Sequence, residues 1–185
     1  MAELEDYSGS FKPDLTFNDF SKEFLLKLMT VWQYAWLHMD LAWFNAVRER
    51  FGFEAACECD LEAWLRVAER VNPRYPKMAN IQLNTVLDSL KCLQLPLDNV
   101  TSGIFAPEYD IKNENHAIVT IKRCKTLEAI ERDMPEMIVP LCQEFEPRII
   151  QKYVVNPRVK VRATKLPPRE GPDDVACQWE YKLEA

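Results

Sequence analysis

Glycine is scarce in this sequence, with four residues in 185 positions. A phosphate-binding loop or a dinucleotide fingerprint needs several glycines close together, because the backbone must approach the phosphates there. The four glycines stand far apart, at positions 9, 52, 103 and 171. The sequence therefore predicts that the protein uses no nucleotide cofactor.

Histidine is scarce, and the positively charged residues are outnumbered by the negatively charged ones. His38 and His116 are the two histidines, so a Ser-His-Asp triad has no support, and a cysteine nucleophile has two choices of histidine base. His116 follows a turn and is interpreted as an exposed turn residue. The 23 Lys and Arg residues are dispersed among 29 Asp and Glu residues, with a net charge of -6. This charge balance predicts that the protein binds neither nucleic acid nor an anionic membrane surface.

Uninterrupted apolar runs are absent as well. The longest apolar stretch, 24–47, contains several polar residues, among them Lys27, His38 and Asp40, and is too polar to span a bilayer. The acidic start Met-Ala-Glu-Leu-Glu-Asp lacks the basic beginning of a secretory signal, so we expect none. Six cysteines in a chain of this length are interpreted as reduced thiols. The expected location is the cytoplasm.

A long helix is the main feature of the first half. It is predicted to begin after Ser21, which can cap it, and to end at about Arg50 or Phe51, before Gly52 in the left-handed closing position. Apolar residues cover so much of its circumference that we expect a central helix, covered on more than one side. Two shorter helices are expected at 61–71, capped by Asp60, and at 84–93.

The periodicity changes to that of strands in the second half. Residues 104–112 and 116–124 alternate in the strand manner around a turn at 113–115, which predicts a hairpin. Residues 158–166 and 176–183 predict a second hairpin. Between the two, Thr126 is expected to cap a helical stretch that restarts at Pro135.

These elements predict an α+β fold, with N-terminal helices, including the long central one, packed on a four-stranded, mainly antiparallel sheet made of two hairpins joined by a helix. We expect a single domain over residues 1–185, helical over residues 1–97 and containing the sheet over residues 98–185. If the joining helix makes a right-handed crossover, strands two and three run the same way and strand four runs against both. The end of strand two, at Cys124, then lies at the same edge of the sheet as the start of strand four, at Cys177.

That meeting of cysteines is the strongest candidate for chemistry. Cys124, Cys142 and Cys177 would form a three-sulfur metal site, and Glu146, one turn beyond Cys142, is the candidate fourth ligand. Zinc suits this set, and an iron–sulfur cluster is the alternative cofactor. Cys142 and Cys177 are also the candidates for a catalytic nucleophile. Because none of the three stands in a Cys-x-x-Cys pair, packing as small core residues is the competing interpretation.

A second candidate site is the polar break in the long helix. Asp40 and His38 stand among tryptophans, at Trp36 and Trp43. A carboxylate on an apolar helix costs several kcal/mol to bury without a partner, so Asp40 must find one, open onto a cavity or face solvent. These four residues are the candidate ligand-binding set, with Asp40 or His38 as the polar anchor of an apolar pocket. The alternative is that both polar groups are solvated or bonded to their own helix.

A resemblance to known families rests on motifs spread along most of the chain. These motifs are Asp40-Leu-Ala-Trp43, Asp60 with Trp64, Glu114-Asn-His-Ala, Cys124, Leu141-Cys142, Leu166-Pro-Pro-Arg and Pro172-Asp-Asp-Val-Ala-Cys-Gln-Trp-Glu. With them the chain resembles an uncharacterised family of small proteins from anaerobic bacteria and archaea. More distantly, its Cys124, Cys142, Cys177 pattern is similar to that of the L-2-amino-thiazoline-4-carboxylic acid hydrolase-like family and of the 4-vinyl reductase small-molecule-binding domain. The likeness to the hydrolase-like family implies opening of a cyclic C–N bond, and the likeness to the 4-vinyl reductase domain implies an apolar ligand pocket between helices and sheet.

Three functions follow from these observations. The leading hypothesis is a small-molecule-binding domain with a three-cysteine cluster, binding metal at the rim of an apolar pocket. The second is a hydrolase acting on a C–N bond. The third is an accessory protein that docks a partner through an aromatic surface, for which Trp32, Trp36 or Trp43 should be exposed. The expected binding partner is a small-molecule ligand, and formation of a homodimer is considered as well.

Overall fold

A computed structural model describes residues 3–96 and 103–184. They fall into two compact units, Met1–Ala46 and Val47–Ala185, and each is described by itself. The expected change from helices to sheet between positions 97 and 98 lies outside the described residues. The elements, in chain order, are α1 (Lys22–Phe51), α2 (Phe53–Val71), α3 (Arg74–Met78), α4 (Val86–Leu93), β1 (Phe105–Asn113), β2 (His116–Cys124), α5 (Lys125–Asp133), α6 (Glu146–Tyr153), β3 (Val159–Lys165) and β4 (Cys177–Leu183).

Helix α1 begins and ends where the sequence predicts. The Ser21 hydroxyl accepts the Phe24 backbone N–H at 3.2 Å, which satisfies one of the free donors of the first turn. At the other end Gly52 has φ of 92°, and its N–H donates to the Arg48 carbonyl at 3.0 Å. A residue with a Cβ would be strained there. The long helix is therefore confirmed.

The expected covering of α1 on several sides is wrong. Gln33 and Phe44 are its buried residues among those described, whereas a series of large apolar side chains is exposed. Many of these apolar side chains are exposed to solvent, so packing in a core does not explain why so much of the helix surface is apolar. The exposed apolar residues of α1 include Leu26, Met29, Val31, Trp32, Tyr34, Trp36, Met39, Leu41 and Trp43.

An N-terminal arm is bound to the start of this helix. The Leu4 N–H donates to the Asp19 carbonyl at 2.7 Å, and the Ser21 N–H donates to the Leu4 carbonyl at 2.9 Å. Phe20 is buried and stacks on Phe24 with ring centroids 4.3 Å apart. Backbone pairing and stacking together hold the arm against the first turn of α1.

Helix α2 begins earlier than the sequence predicts. It starts at Phe53, directly after Gly52, so Asp60 lies in its interior and is buried instead of capping its start. The reason is that Gly52 turns the chain in one residue, which leaves no loop before α2. The start of α4 is close to expectation, since the Thr85 hydroxyl caps it and Asp88 closes the capping box.

The sheet has the predicted topology. Its strand order is β1-β2-β4-β3, and every neighbouring pair is antiparallel. Strands β2 and β3 therefore run in the same direction, and β4 runs against both, as the crossover argument requires. Two hairpins joined by helical segments are confirmed.

Alternation along β4 builds the core of the second unit. Trp179 and Tyr181 are buried, and Cys177 and Leu183 on the same face pack against the same cluster. Each large apolar side chain buried in this way stabilises the fold by about 1.5–3 kcal/mol. This cluster also contains Val86, Leu90 and Leu93 of α4, Ala117 and Val119 of β2, Val154 and Val159.

The segment that joins the hairpins departs from a regular α-helix. After α5 come a 3-10 turn, Pro135–Met137, and a π-helix, Ile138–Phe145, which runs directly into α6. Pro135 does restart the helical path. Thr126, in contrast, does not cap α5, because Cys124 occupies the capping position.

Candidate functional site

Cys124 and Cys177 meet at one edge of the sheet, as the topology predicts. Ile121 of β2 pairs with Cys177 at the start of β4, and the Ala176 N–H donates to the Ile121 carbonyl at 2.9 Å. Cys124 ends β2 three residues later. The strand register thus brings together two thiols that are 53 positions apart in the chain.

The thiol of Cys124 has a structural partner. Its Sγ accepts the Leu127 backbone N–H at 3.3 Å, so it caps α5 in the way that a serine or aspartate oxygen would. Burial is the main reason why the pKa of Cys124 is raised, and the N–H donors of the helix start oppose that rise. The same sulfur therefore both caps a helix and lies in the candidate site.

The Cys177 thiol is hydrogen-bonded to a residue of the core. The Trp179 indole N–H donates to the Cys177 Sγ at 3.2 Å. Burial raises the pKa of the Cys177 thiol to about 12, with further contributions from the negative charges of Glu146 and Cys124. This thiol is neutral at physiological pH.

Cys142 lies within the π-helix. The Glu146 N–H reaches back five residues to the Leu141 carbonyl, and Pro147 follows with no N–H to continue an α-helical pattern. Burial raises the pKa of the Cys142 thiol to about 12, and Glu146, Cys124 and Cys177 contribute to the rise. Stretches of π-helix are rare and occur frequently at functional sites, so the position of Cys142 in one is a signal that periodicity did not provide.

The three thiols and Glu146 share one electrostatic environment. The charge of Glu146 raises the pKa of Cys124, of Cys142 and of Cys177, and Cys124 also raises the pKa of Cys142 and of Cys177. Within the described ranges, however, no three His, Cys, Asp or Glu side chains are close enough together to hold a metal ion as they stand. The predicted residues are thus brought together loosely, as a half-buried group of three neutral thiols and a carboxylate, which we call the thiol cluster.

Sequence reasoning missed the residues that frame the thiol cluster. Arg169, in the loop between β3 and β4, forms a bidentate ion pair with Glu131 of α5, and its side chain is 5% exposed. The Gln143 side-chain amide donates to the Pro167 carbonyl at 2.7 Å. These bonds tie the loop that leads into Cys177 to the helical segments that carry the other two thiols. Contacts made 24 and 38 residues apart leave no periodic signal in the sequence.

The other candidate residues lie on α1, in the first unit. Trp36 and Trp43 are 46% and 39% exposed, and Asp40 is half-buried. His38 is exposed, its Nδ1 lies 3.0 Å from the Tyr34 carbonyl, and its ring stacks on that of Tyr34. The alternative expectation for His38, a bond to its own helix, is the one observed.

A shallow cavity of about 370 Å³ occurs elsewhere, in the second unit. Pro73, Pro76, Asn80, Leu83 and Val155 are among its lining residues, and none of the predicted ligand-binding residues is. The second histidine is also remote from the thiol cluster along the sheet. His116 begins β2, eight residues or about 26 Å of strand from Cys124, and its Nε2 lies 3.0 Å from Glu180.

These features define an α+β protein with half-buried thiols near one end of its sheet. The chain belongs to a family of unknown function (DUF6125), whose model matches residues 18–183. No curated protein and no solved structure matches it. Among residues 3–96 and 103–184, no helix combines the length and the apolar character needed to cross a membrane.

Proposed function

We propose that the chain is a binding domain whose site is the thiol cluster, and that the cluster takes a thiophilic metal ion, zinc in the first instance. Cys124, Cys142 and Cys177 would supply three sulfurs and Glu146 the fourth donor. The proposal is supported by the strand register, which places Cys124 and Cys177 near the same end of the sheet, and by Glu146 of α6, whose charge raises the pKa of all three half-buried thiols. A reducing compartment such as the cytoplasm would keep these thiols available.

The chemistry of the donors supports this choice of ligand. Thiolates are soft donors that zinc and iron–sulfur clusters prefer, and a carboxylate completes the set without a histidine. Four groups that would repel one another when ionised gain a common partner in a cation. Burial, which makes each thiolate costly alone, strengthens the attraction of each thiolate to a bound ion.

The spacing of the side chains is consistent with an ion that assembles its own site. Neutral thiols do not attract one another, so nothing draws the sulfurs into a tetrahedron before the protons leave. Metal binding would release those protons and close the side chains around the ion.

Hydrolysis of a C–N bond by a cysteine nucleophile has less support. Such a nucleophile needs a lowered pKa and a neighbouring base, whereas burial raises the pKa of both Cys142 and Cys177 to about 12. His116 is bonded to Glu180 at the far end of β2 and cannot serve as their base from there. We therefore propose binding and not thiolate catalysis.

Elemental analysis of protein purified without oxygen tests the proposal. We expect about one zinc per chain in the wild type, or iron with the absorption bands of an iron–sulfur cluster. Cys124→Ser, Cys142→Ser and Cys177→Ser should each lower the metal content severalfold, and Glu146→Gln should lower it less.

Cys92→Ser is the matched control, because Cys92 is a buried thiol of α4 that takes no part in the electrostatic environment of the cluster. It should keep the wild-type metal content. A wild type without metal, both as purified and after anaerobic incubation with zinc followed by desalting, would overturn the proposal. So would a Cys92→Ser variant that loses as much metal as the cluster variants.

A further inference from the structure

Six apolar residues of α1, five of them exposed and Leu25 half-buried, follow a regular spacing. Leu25, Met29, Trp32, Trp36, Met39 and Trp43 are separated by four, three, four, three and four residues. This alternation is the a and d pattern of a coiled coil, in which each helix presents one narrow stripe to a second helix. We call these six residues the α1 seam.

The seam is large and uncharged. From Met29 to Trp43 it extends about 21 Å along the helix, and its side chains there are between 38% and 69% exposed. Between residues 28 and 47, Asp40 is the single Asp, Glu, Lys or Arg, and it lies outside the seam. Large exposed apolar patches of this kind mark interaction surfaces.

We propose that the α1 seam pairs with the α1 seam of a second copy of this chain, in an antiparallel two-fold dimer. The spacing identifies the partner as a helix with the same narrow stripe, and the seam itself is such a stripe. Closed two-fold dimers are the commonest form of self-association, and in them one surface serves both subunits. This inference is independent of the thiol cluster.

The distribution of charge favours the antiparallel arrangement. Residues 3–27, which lead into and begin α1, contain six acids and three lysines. The last turn of α1 contains two arginines and one glutamate, Arg48, Glu49 and Arg50, and therefore carries a net positive charge of one. Antiparallel pairing sets the acidic end of one copy beside the basic end of the other and opposes the two helix dipoles. A parallel pair would bring the acidic ends together.

The pattern of residues also fixes which side chains would face each other. The two-fold axis would pass between Trp32 and Trp36, so that Trp32 faces Trp36 of the second copy, and Met29 faces Met39. Leu25 would then face Trp43. Bulky aromatic residues would fill the centre of the interface, where such anchors contribute most to affinity.

Sedimentation velocity over about a hundredfold range of concentration tests the dimer. The wild type should be dimeric at the upper end of that range. Met39→Glu introduces a charge at the most exposed position of the seam, 69% exposed, and should raise the dimer dissociation constant about a hundredfold. The matched control is Leu41→Glu, because Leu41 is also exposed and lies about 160° away around the helix. It should dimerise like the wild type.

A charge-swap variant tests the register. Met29→Lys alone should weaken the dimer, but Met29→Lys combined with Met39→Glu should restore it, since each introduced lysine would face the introduced glutamate of the other copy. Within one helix these two positions are about 15 Å apart and do not pair. A wild type that stays monomeric, or a dimer that survives Met39→Glu, would overturn the proposal. Failure of the double variant to recover would overturn the antiparallel pairing.

Discussion

Arg169 clamps Glu131 through two nearly parallel hydrogen bonds, from Nε to Oε1 at 2.9 Å and from Nη2 to Oε2 at 2.6 Å. The same guanidinium donates to the Pro172 carbonyl at 2.7 Å. Arg169 thereby fixes the loop before Cys177 to α5, whose first turn is capped by Cys124. The ion pair raises the pKa of Arg169, so the guanidinium is charged throughout the accessible pH range.

Removing this clamp should destabilise the fold. Arg169→Ala leaves Glu131 without its partner at a site where the arginine is 5% exposed and the glutamate 28%, and we expect a loss of about 2 kcal/mol in the free energy of unfolding. Urea unfolding measures it. Arg169→Lys should recover only a fraction of this loss, because lysine cannot make the two-pronged contact.

The Arg123–Glu128 pair provides a matched control for that prediction. It has the same bidentate geometry, but Arg123 is 65% exposed. Arg123→Ala should therefore lower the free energy of unfolding much less than Arg169→Ala does. Equal losses in the two alanine variants would show that burial of Arg169 is not what makes its ion pair important.

The six cysteines should react with a thiol reagent at different rates, set by the exposure and the pKa of each thiol. Cys59 is exposed, whereas burial raises the pKa of Cys142 and Cys177 to about 12. Because the thiolate is the reacting species, iodoacetamide at about pH 8 should label Cys59 first and the half-buried Cys142 and Cys177 much more slowly. Mass spectrometry of labelled peptides gives the order. Labelling of Cys142 as fast as that of Cys59 in the folded protein would contradict the raised pKa of its thiol.

Much of the fold could be predicted because its signals are local. The Ser21 cap, the left-handed Gly52 and the alternation of Trp179 and Tyr181 each depend on a few neighbouring residues. The meeting of Cys124 with Cys177 followed from strand direction alone, through the handedness of one crossover. Predictions of this kind need no knowledge of distant contacts.

The features that could not be predicted are those set by tertiary contacts or by competition between similar signals. Thr126 and Cys124 both stand near the start of α5, and the weak sulfur acceptor takes the capping position because β2 ends at Cys124. The π-helix around Cys142 keeps the apolar spacing of an α-helix and so cannot be distinguished by periodicity. The sequence also does not reveal that the apolar side chains of α1 are exposed, because a helix face that binds a partner has the same apolar pattern as a face that packs in a core.

Alkaline pH should weaken the fold through the half-buried thiols of Cys142 and Cys177. The pKa of Cys142 and of Cys177 is raised from an ordinary value of 9.0 to about 12 in the folded protein. The folded state therefore binds protons more tightly than the unfolded state, so this contribution to stability is complete below about pH 9 and is lost as the pH rises to about 12. Urea unfolding between about pH 8 and pH 11 should show the decline. A Cys142→Ala variant should show a shallower one, and identical slopes would contradict the assignment.

Substitutions at Cys124 should separate its two roles, helix cap and member of the thiol cluster. Cys124→Ala removes the acceptor for the Leu127 N–H, and we expect a loss of about 1 kcal/mol in the free energy of unfolding. Cys124→Ser supplies a better acceptor in the same place and should be at least as stable as the wild type. If Cys124→Ser is stable but binds less metal, the loss is one of ligation and not of folding. If the serine variant is as unstable as the alanine variant, the sulfur contributes through packing in the cluster, and the capping role of Cys124 is wrong.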